Sequence, residues 1–289
     1  MHTLKEKAFC LLQHCLPQKA LSRLAGALAK NQTPWLKNWL IRRFIAYFSV
    51  DMSEAVHSDY RQYKNFNEFF TRPLVGGARP LQGTEATVVS PADGAISEIG
   101  EIHHDRLLQA KGRDYSLQQL LADGDATSEE QLSDLFIGGN FATIYLSPKD
   151  YHRVHMPLGG RLRQTRYIPG QLFSVNRGTA NHIDGLFARN ERLVSIFDSD
   201  AGPMAVIMVG AMIVASIETQ WCRHYPPHPS SVLQSTFNDS NELRRGQEMG
   251  RFKLGSTAIL LFAKDTVKWC DRLTAGSVLR QGEALMAVR

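Results

Sequence analysis

The sequence predicts an α+β fold, with N-terminal amphipathic helices followed by a mostly antiparallel β body. Up to about residue 50, apolar residues recur at helical spacing. Beyond about residue 85 the pattern changes to short β-type runs punctuated by Gly, Pro and Asp. Helices that precede the strands, rather than alternating with them, separate this arrangement from a doubly wound parallel sheet. At 289 residues, 43% hydrophobic and 21% charged, the chain has an ordinary globular composition and can bury one large core or two modest ones.

The helices come in order. One is expected over roughly Leu4 to Leu16, ended by Pro17, and a second over Lys19 to Ala29. A third runs from Trp35 to Phe48, with Leu36, Leu40, Phe44 and Phe48 at i+4 spacing and Trp39 and Ile41 beside them. Residues 1–50 hold eight Lys/Arg (Lys5, Lys7, Lys19, Arg23, Lys30, Lys37, Arg42 and Arg43) against Glu6 alone, which is +7. The whole chain is +5, so the remainder sums to −2 and the basic character belongs to this segment. An apolar, Trp-bearing face with cationic flanks suits the interface of an anionic membrane. The alternative is a helical hairpin packed on the body, its charges simply solvated. No nucleic-acid partner is expected, because basic residues interleaved with Leu and Ile do not form a phosphate-tracking stripe. No signal peptide is expected either: Gln13 and His14 interrupt the apolar stretch and no small-residue cleavage site follows.

Strands are expected at Thr87–Val89, Ala95–Ile102, Phe141–Leu146, Gly160–Ile168, Leu193–Phe197, Ala205–Ile217 and Thr257–Phe262. Leu117–Leu121 and Ser128–Leu135 read as helices, the latter with Ser128 as a candidate N-cap. The longest apolar run, Met204 to Ile217, has 14 residues including Gly210, which is too short to span a bilayer and suits one or two buried strands. Cys10, Cys15, Cys222 and Cys270 form no CxxC pair, so reduced thiols in a cytoplasmic compartment are expected rather than bridges. The absence of GxGxxG and Walker motifs argues against a nucleotide enzyme.

Three segments concentrate the chemistry. Ser90-Pro91-Ala92-Asp93-Gly94 is a good turn in its own right, and it places a carboxylate between two strands. In Tyr151-His152-Arg153-Val154-His155-Met156-Pro157, two histidines three apart share a helix face but lie on opposite faces of a strand, so strict alternation turns at most one towards a site. No third ligand at a familiar zinc spacing accompanies them, and no metal is expected. Phe252-Lys253-Leu254-Gly255-Ser256-Thr257 reads first as a Gly-Ser turn opening a strand. Gly-Ser also permits backbone chemistry. The Ser256 hydroxyl can attack the carbonyl of its own preceding peptide bond, and Gly255 lacks a Cβ that would hinder the approach. The resulting ester can eliminate to dehydroalanine, whose tautomer hydrolyses to ammonia and a pyruvoyl group. That sequence requires a base, and a carboxylate to orient it.

Six stretches in order resemble the phosphatidylserine decarboxylase family: Phe66–Pro80, Ser90–Gly94, Tyr151–Pro157, Gly170–Asn176, Phe187–Arg192 and Gly246–Phe262. The resemblance spans about residue 60 to the C-terminus. It implies conversion of phosphatidylserine to phosphatidylethanolamine and carbon dioxide through a Schiff base with a pyruvoyl cofactor derived from Ser256. By the same resemblance Asp93, His155 and Ser256 correspond to the self-cleavage triad acting at Gly255–Ser256, and His152 to a histidine of the decarboxylation step. Residues 1–59, mainly through their own charge and periodicity, are expected to be a helical membrane-associating segment; the resemblance implies a β-rich catalytic domain, 60–289, with the chain cut into 1–255 and 256–289 that stay associated. The β body would resemble lipoyl/biotinyl-type hybrid barrels, and Val89–Ile102 and Gly276–Val288 show their Gly-turn-strand rhythm. The expected location is peripheral, on the cytoplasmic face of an anionic membrane, with the oligomeric state open between a monomer and a homodimer. Two other classes fit parts of the pattern. One is a zinc peptidase using His152 or His155 with Asp93 in an intact chain; the other is a non-catalytic lipid-binding or carrier domain.

Overall fold

The computed structural model describes residues 7, 9–13, 16–110, 112–124, 131–212, 216–226, 229–238, 241–253 and 257–289. The candidate N-cap Ser128, and Gly255 and Ser256 of the expected cleavage site, lie outside the described residues.

The expected helix Leu4–Leu16 lies largely outside the described residues, and the two that follow it are present. Helix α1 (Gln18–Lys30) and helix α2 (Pro34–Phe48) precede a short helix, α3 (Phe66–Phe70). Pro34 occupies the first position of α2, where a missing N–H costs nothing, and Ser49 ends the helix in a left-handed conformation. Ile41 is fully buried against Phe66, Phe69, Phe70 and Tyr63, and Phe44 meets Phe66 edge-on at 5.1 Å. The cluster therefore joins residues on both sides of position 59. Lys37 turns inward, its ammonium donating to the Arg61 carbonyl at 3.0 Å, so the basic face of α2 consists of Arg42 and Arg43. Two buried glutamines fix the first turns to the body. Gln13 accepts from the Ser174 backbone N–H at 2.8 Å, and Gln18 accepts from Leu172 at 2.7 Å.

The described residues of the body form seventeen strands: β1 (Thr87–Val89), β2 (Gly94–Glu101), β3 (Arg106–Ala110), β4 (Arg113–Ser116), β5 (Asn140–Tyr145), β6 (Arg153–His155), β7 (Gly160–Ile168), β8 (Arg192–Ser199), β9 (Gly202–Val209), β10 (Ser216–Thr219), β11 (Leu233–Thr236), β12 (Glu242–Leu243), β13 (Glu248–Lys253), β14 (Thr257–Phe262), β15 (Val267–Trp269), β16 (Val278–Leu279) and β17 (Ala284–Val288). A helix α4 (Leu117–Leu121), capped by Ser116, follows β4, and α5 (Arg177–His182) and α6 (Leu186–Arg189) lie between β7 and β8. The main sheet runs β11-β7-β8-β9-β14-β5-β2-β16, with β12 also on β7. Smaller sheets are β1-β17-β15 and β10-β13-β6, and β3 pairs β4. Every pairing between these strands is antiparallel.

The pairings close no barrel among the described residues. The main sheet ends at β11 on one side and at β16 on the other, so the barrel expected from the family likeness is replaced by an open sheet. Both faces of its centre are covered. Along β14, Ala258, Leu260 and Phe262 enter one core while Ile259 and Leu261 enter the other, and β9 alternates likewise between Met204, Val206 and Met208 and Ala205, Ile207 and Val209. Double burial explains why these strands read as continuous apolar runs rather than alternating ones. The run from Met204 resolves into β9 and β10, with residues 213–215 between them outside the described residues. The expected helix at 128–135 contributes a single 3₁₀ turn, Leu132–Leu135.

Candidate active site

The turn carrying Asp93 is wedged between β6 and the C-terminal strands. Val89 donates to the Pro157 carbonyl and His155 to that of Pro91, at 2.9 and 2.8 Å, while Ser90 exchanges backbone bonds with Gly282 and Glu283. Gly94 sets the turn against β5. A Cβ there would lie 2.3 Å from the Tyr145 carbonyl oxygen, so only glycine lets β2 and β5 pair at this point.

The Asp93 carboxylate is fully engaged. Arg79 donates to both oxygens through Nε (2.8 Å) and Nη2 (2.6 Å), and the Gln281 N–H donates to Oδ1 at 2.8 Å. The His155 ring, four residues after Tyr151, has a different set of partners. Its Nδ1 lies 2.8 Å from the Gly246 carbonyl, which can only accept, so Nδ1 carries the proton and the Tyr151 hydroxyl donates to Nε2 at 3.1 Å. Gly246, at φ +75°, aims that carbonyl. Thus the structure brings Asp93 and His155 together as neighbours, but each is held by other groups. Burial lowers His155 from the usual histidine range, partly offset by the Gly246 carbonyl, Glu248 and Asp93. Burial pushes the Tyr151 hydroxyl up to about 12. The imidazole is therefore neutral at neutral pH, with a defined lone-pair nitrogen.

His152 faces elsewhere, as strand alternation requires. It precedes β6 and is fully buried, and its ring stacks on Phe70 at 4.0 Å with 23° between planes. Neither ring nitrogen has a hydrogen-bond partner among the described residues; the Ser147 and Pro148 carbonyls lie close by, outside hydrogen-bonding geometry. Burial, aided by the Arg72 guanidinium, pushes its pKa down to about 3. Arg72 is itself buried, donating through Nη2 to the Lys149 carbonyl at 3.0 Å.

His152 lines an apolar groove of about 960 Å³ that opens between the N-terminal helices and the body. Trp39, Phe44 and Phe48 form its helical wall, and Tyr145, Leu146 and Val175 belong to the opposite side. Ser174 and Asn176 add polar groups there. The chain enters and leaves residues 254–256 beside this groove. Phe252 donates to the His152 carbonyl at 3.1 Å, and Thr257 pairs with Tyr145 and Val209. The Thr257 hydroxyl is buried without a partner among the described residues.

A family model described as phosphatidylserine decarboxylase matches residues 66–287, and one described as PSD matches residues 8–49. The chain belongs to the phosphatidylserine decarboxylase family. It is 53% identical to a phosphatidylserine decarboxylase proenzyme of Ectopseudomonas mendocina over 287 residues, 98% of each chain. Proteins of the same name from Pseudomonas fluorescens and Azotobacter vinelandii are each 51% identical over 286 residues, again 98% of each chain. Within this phosphatidylserine decarboxylase family member the matched region begins at α3, so Phe70, Arg72 and Arg79 fall inside it with Asp93 and both histidines. Sequence reasoning had not singled out Arg79, Tyr151 or Gly246. All three lie within the family-like stretches, but the Arg79–Asp93 and His155–Gly246 contacts join residues 14 and 91 apart and leave no local signal.

Proposed function

We propose that the chain is a phosphatidylserine decarboxylase proenzyme that cuts itself between Gly255 and Ser256 and then converts phosphatidylserine to phosphatidylethanolamine and carbon dioxide. The observation that carries the reading is a pair of neutral imidazoles three residues apart: His155 beside Asp93, and His152 in the groove wall, its backbone carbonyl accepting from Phe252 just before residues 254–256.

In this reading Nε2 of His155 takes the proton from the Ser256 hydroxyl as that oxygen attacks the Gly255 carbonyl, once the Tyr151 hydroxyl turns away. The negative charge of Asp93 stabilises the imidazolium that forms. Elimination then expels the Gly255 carboxylate, and hydrolysis of the remaining imine releases ammonia. The residues present suit a pyruvoyl group at position 256, because His152 keeps both nitrogens free of partners beside the point where β14 begins. A pyruvoyl ketone would condense with the substrate amine and take up the electrons left as carbon dioxide departs. His152 is the proton donor to the substrate carbon. It is neutral in the free chain, and the substrate carboxylate arriving in the groove favours its charged form.

The groove walls fit acyl chain, and its helical side leads to the outer surface of α2. There Trp35, Trp39 and Tyr47 are exposed beside Arg42 and Arg43. No helix among the described residues is long and apolar enough to cross a membrane. The proposed attachment is peripheral, on the cytoplasmic side, with residues 1–59 as the docking segment and 60–289 as the catalytic body.

Intact-mass analysis under denaturing conditions tests the reading. Two chains, with pyruvoyl at the N-terminus of the shorter, support it. An intact active chain with stoichiometric zinc would indicate the peptidase class, and an intact inactive chain the carrier class.

A further inference from the structure

Asp93 sits in an ion-pair chain that crosses the molecule. The Arg79 side chain is only 9% exposed, and every nitrogen of its guanidinium is used. Nε and Nη2 grip Asp93, while Nη1 meets Glu54 at 2.8 Å and the Ala78 carbonyl at 2.8 Å. Glu54 lies on the connection from α2 to α3, and its other oxygen takes Arg280 at 3.0 Å. Arg280 and Gln281 belong to the segment that follows the proposed cut. One carboxylate is thus held by the large part of the chain through Arg79 and by the C-terminal part through the Gln281 N–H.

We propose that Arg79 is the positioning residue of self-cleavage: its fork fixes the Asp93 carboxylate beside His155, and through Glu54 it ties that carboxylate to the segment bearing the N-terminal helices. This rests on the reading that Asp93 and His155 serve the cut at Gly255–Ser256.

The geometry argues for positioning rather than bulk stability alone. A carboxylate in a freely rotating turn has several rotamers, and a bidentate guanidinium selects one. His155 takes its tautomer from Gly246, so Asp93 is left to act on the ring by charge, and the strength of that action depends on where the carboxylate is held. The charged and titratable groups facing His155 are Asp93 from the turn, Glu248 from β13, Arg153 from its own strand and Tyr151 just before it. Arg79 is the cation that partly cancels Asp93. Its removal leaves the carboxylate charge less compensated, which favours the imidazolium and withholds the base until higher pH.

The test follows cleavage of newly synthesised full-length chain between pH 5.5 and 9, with thermal unfolding as the control for folding. Arg79→Gln is expected to slow cleavage by about tenfold or more, the effect of a misplaced catalytic group, and to move the acid limb of the rate profile to higher pH. Arg79→Lys keeps the charge without the fork, so it should stay slow with its acid limb at the wild-type position. Glu54→Gln, which loosens Arg79 from outside, should slow cleavage less than either. Wild-type rates and profiles in both Arg79 variants would overturn the proposal, as would equal slowing in both with unshifted profiles. Should Arg79→Gln fail to fold, a wild-type rate in Arg79→Lys overturns it and a slow one with an unshifted limb sustains it. A wild-type chain that never cuts would instead remove the reading on which the proposal rests.

Discussion

His152 and His155 are three residues apart, yet they meet different environments, and in the proposed reading this difference divides their roles. Ser256→Ala is expected to abolish cleavage and decarboxylation together, since its oxygen is both the attacking atom and the origin of the ketone. His155→Ala and Asp93→Asn should leave mostly uncut precursor, whereas His152→Ala should still cut and lose turnover. If His152→Ala blocks cleavage and His155→Ala does not, the assignment is reversed. Both rings are held below the ordinary histidine pKa by burial. Below pH 6.5 the unfolded chain therefore takes up protons that the folded chain refuses, until about 3 for His152. The stability these rings preserve at neutral pH is lost as pH falls through that window, by up to about 1.4 kcal/mol per pH unit for each. Urea unfolding of the uncut Ser256→Ala chain between pH 7.5 and 5 should show this slope. His152→Phe in that background should reduce it by up to one proton's worth, and unchanged slopes would refute the buried neutral ring.

Helix α2 works on both of its sides. Its inner face closes the aromatic cluster with α3 and one wall of the groove, and its outer face exposes Trp35 and Tyr47, at 73% and 82%. Deleting the helices would uncover the cluster, so surface substitutions are the cleaner probe. Replacing Trp35 and Tyr47 with Ser should leave the melting temperature unchanged. Sedimentation with anionic vesicles should fall at least about tenfold, because a large apolar side chain contributes roughly 1.5–3 kcal/mol when buried. High salt should weaken wild-type binding without abolishing it, since the contribution of Arg42, Arg43 and the other exposed cations is screened and the apolar one is not. Equal vesicle binding by the two proteins would return α2 to a purely structural part. Much of this architecture was legible in the sequence. Strands β1, β7 and β14 and helix α4 have the bounds that their apolar runs and flanking residues indicate, because local pattern and tertiary burial agree there. The exposed β11 and the two-residue β12 have no apolar signature and were not foreseen. The barrel likeness came from the family resemblance, and the turn rhythm that agrees with it does not determine how strands pair. The neighbourhood of Asp93 and His155 was anticipated by the family motifs. Their actual partners were not: the Asp93–Gln281 bond joins residues 188 apart, and no local spacing encodes it.

In the whole molecule, the proposed cut falls just before the strand least able to leave. β14 lies between β9 and β5, and all six of its residues are buried. Ile259, Leu260, Leu261 and Phe262 alone contribute several kcal/mol of burial, at roughly 1.5–3 kcal/mol each. β17 pairs β1 and β16 pairs β2, with β15 carried on β17, so the 34-residue fragment 256–289 is expected to stay in the folded body once the backbone opens. Cleavage can therefore create a new chain end beside the groove without dismantling the fold around it. The most direct test of the account is the denaturing intact mass of an enzymatically active preparation. The account predicts chains 1–255 and 256–289, the shorter blocked at its N-terminus and reducible by borohydride in the presence of phosphatidylserine. A fully active preparation containing only the uncut 289-residue chain would contradict it.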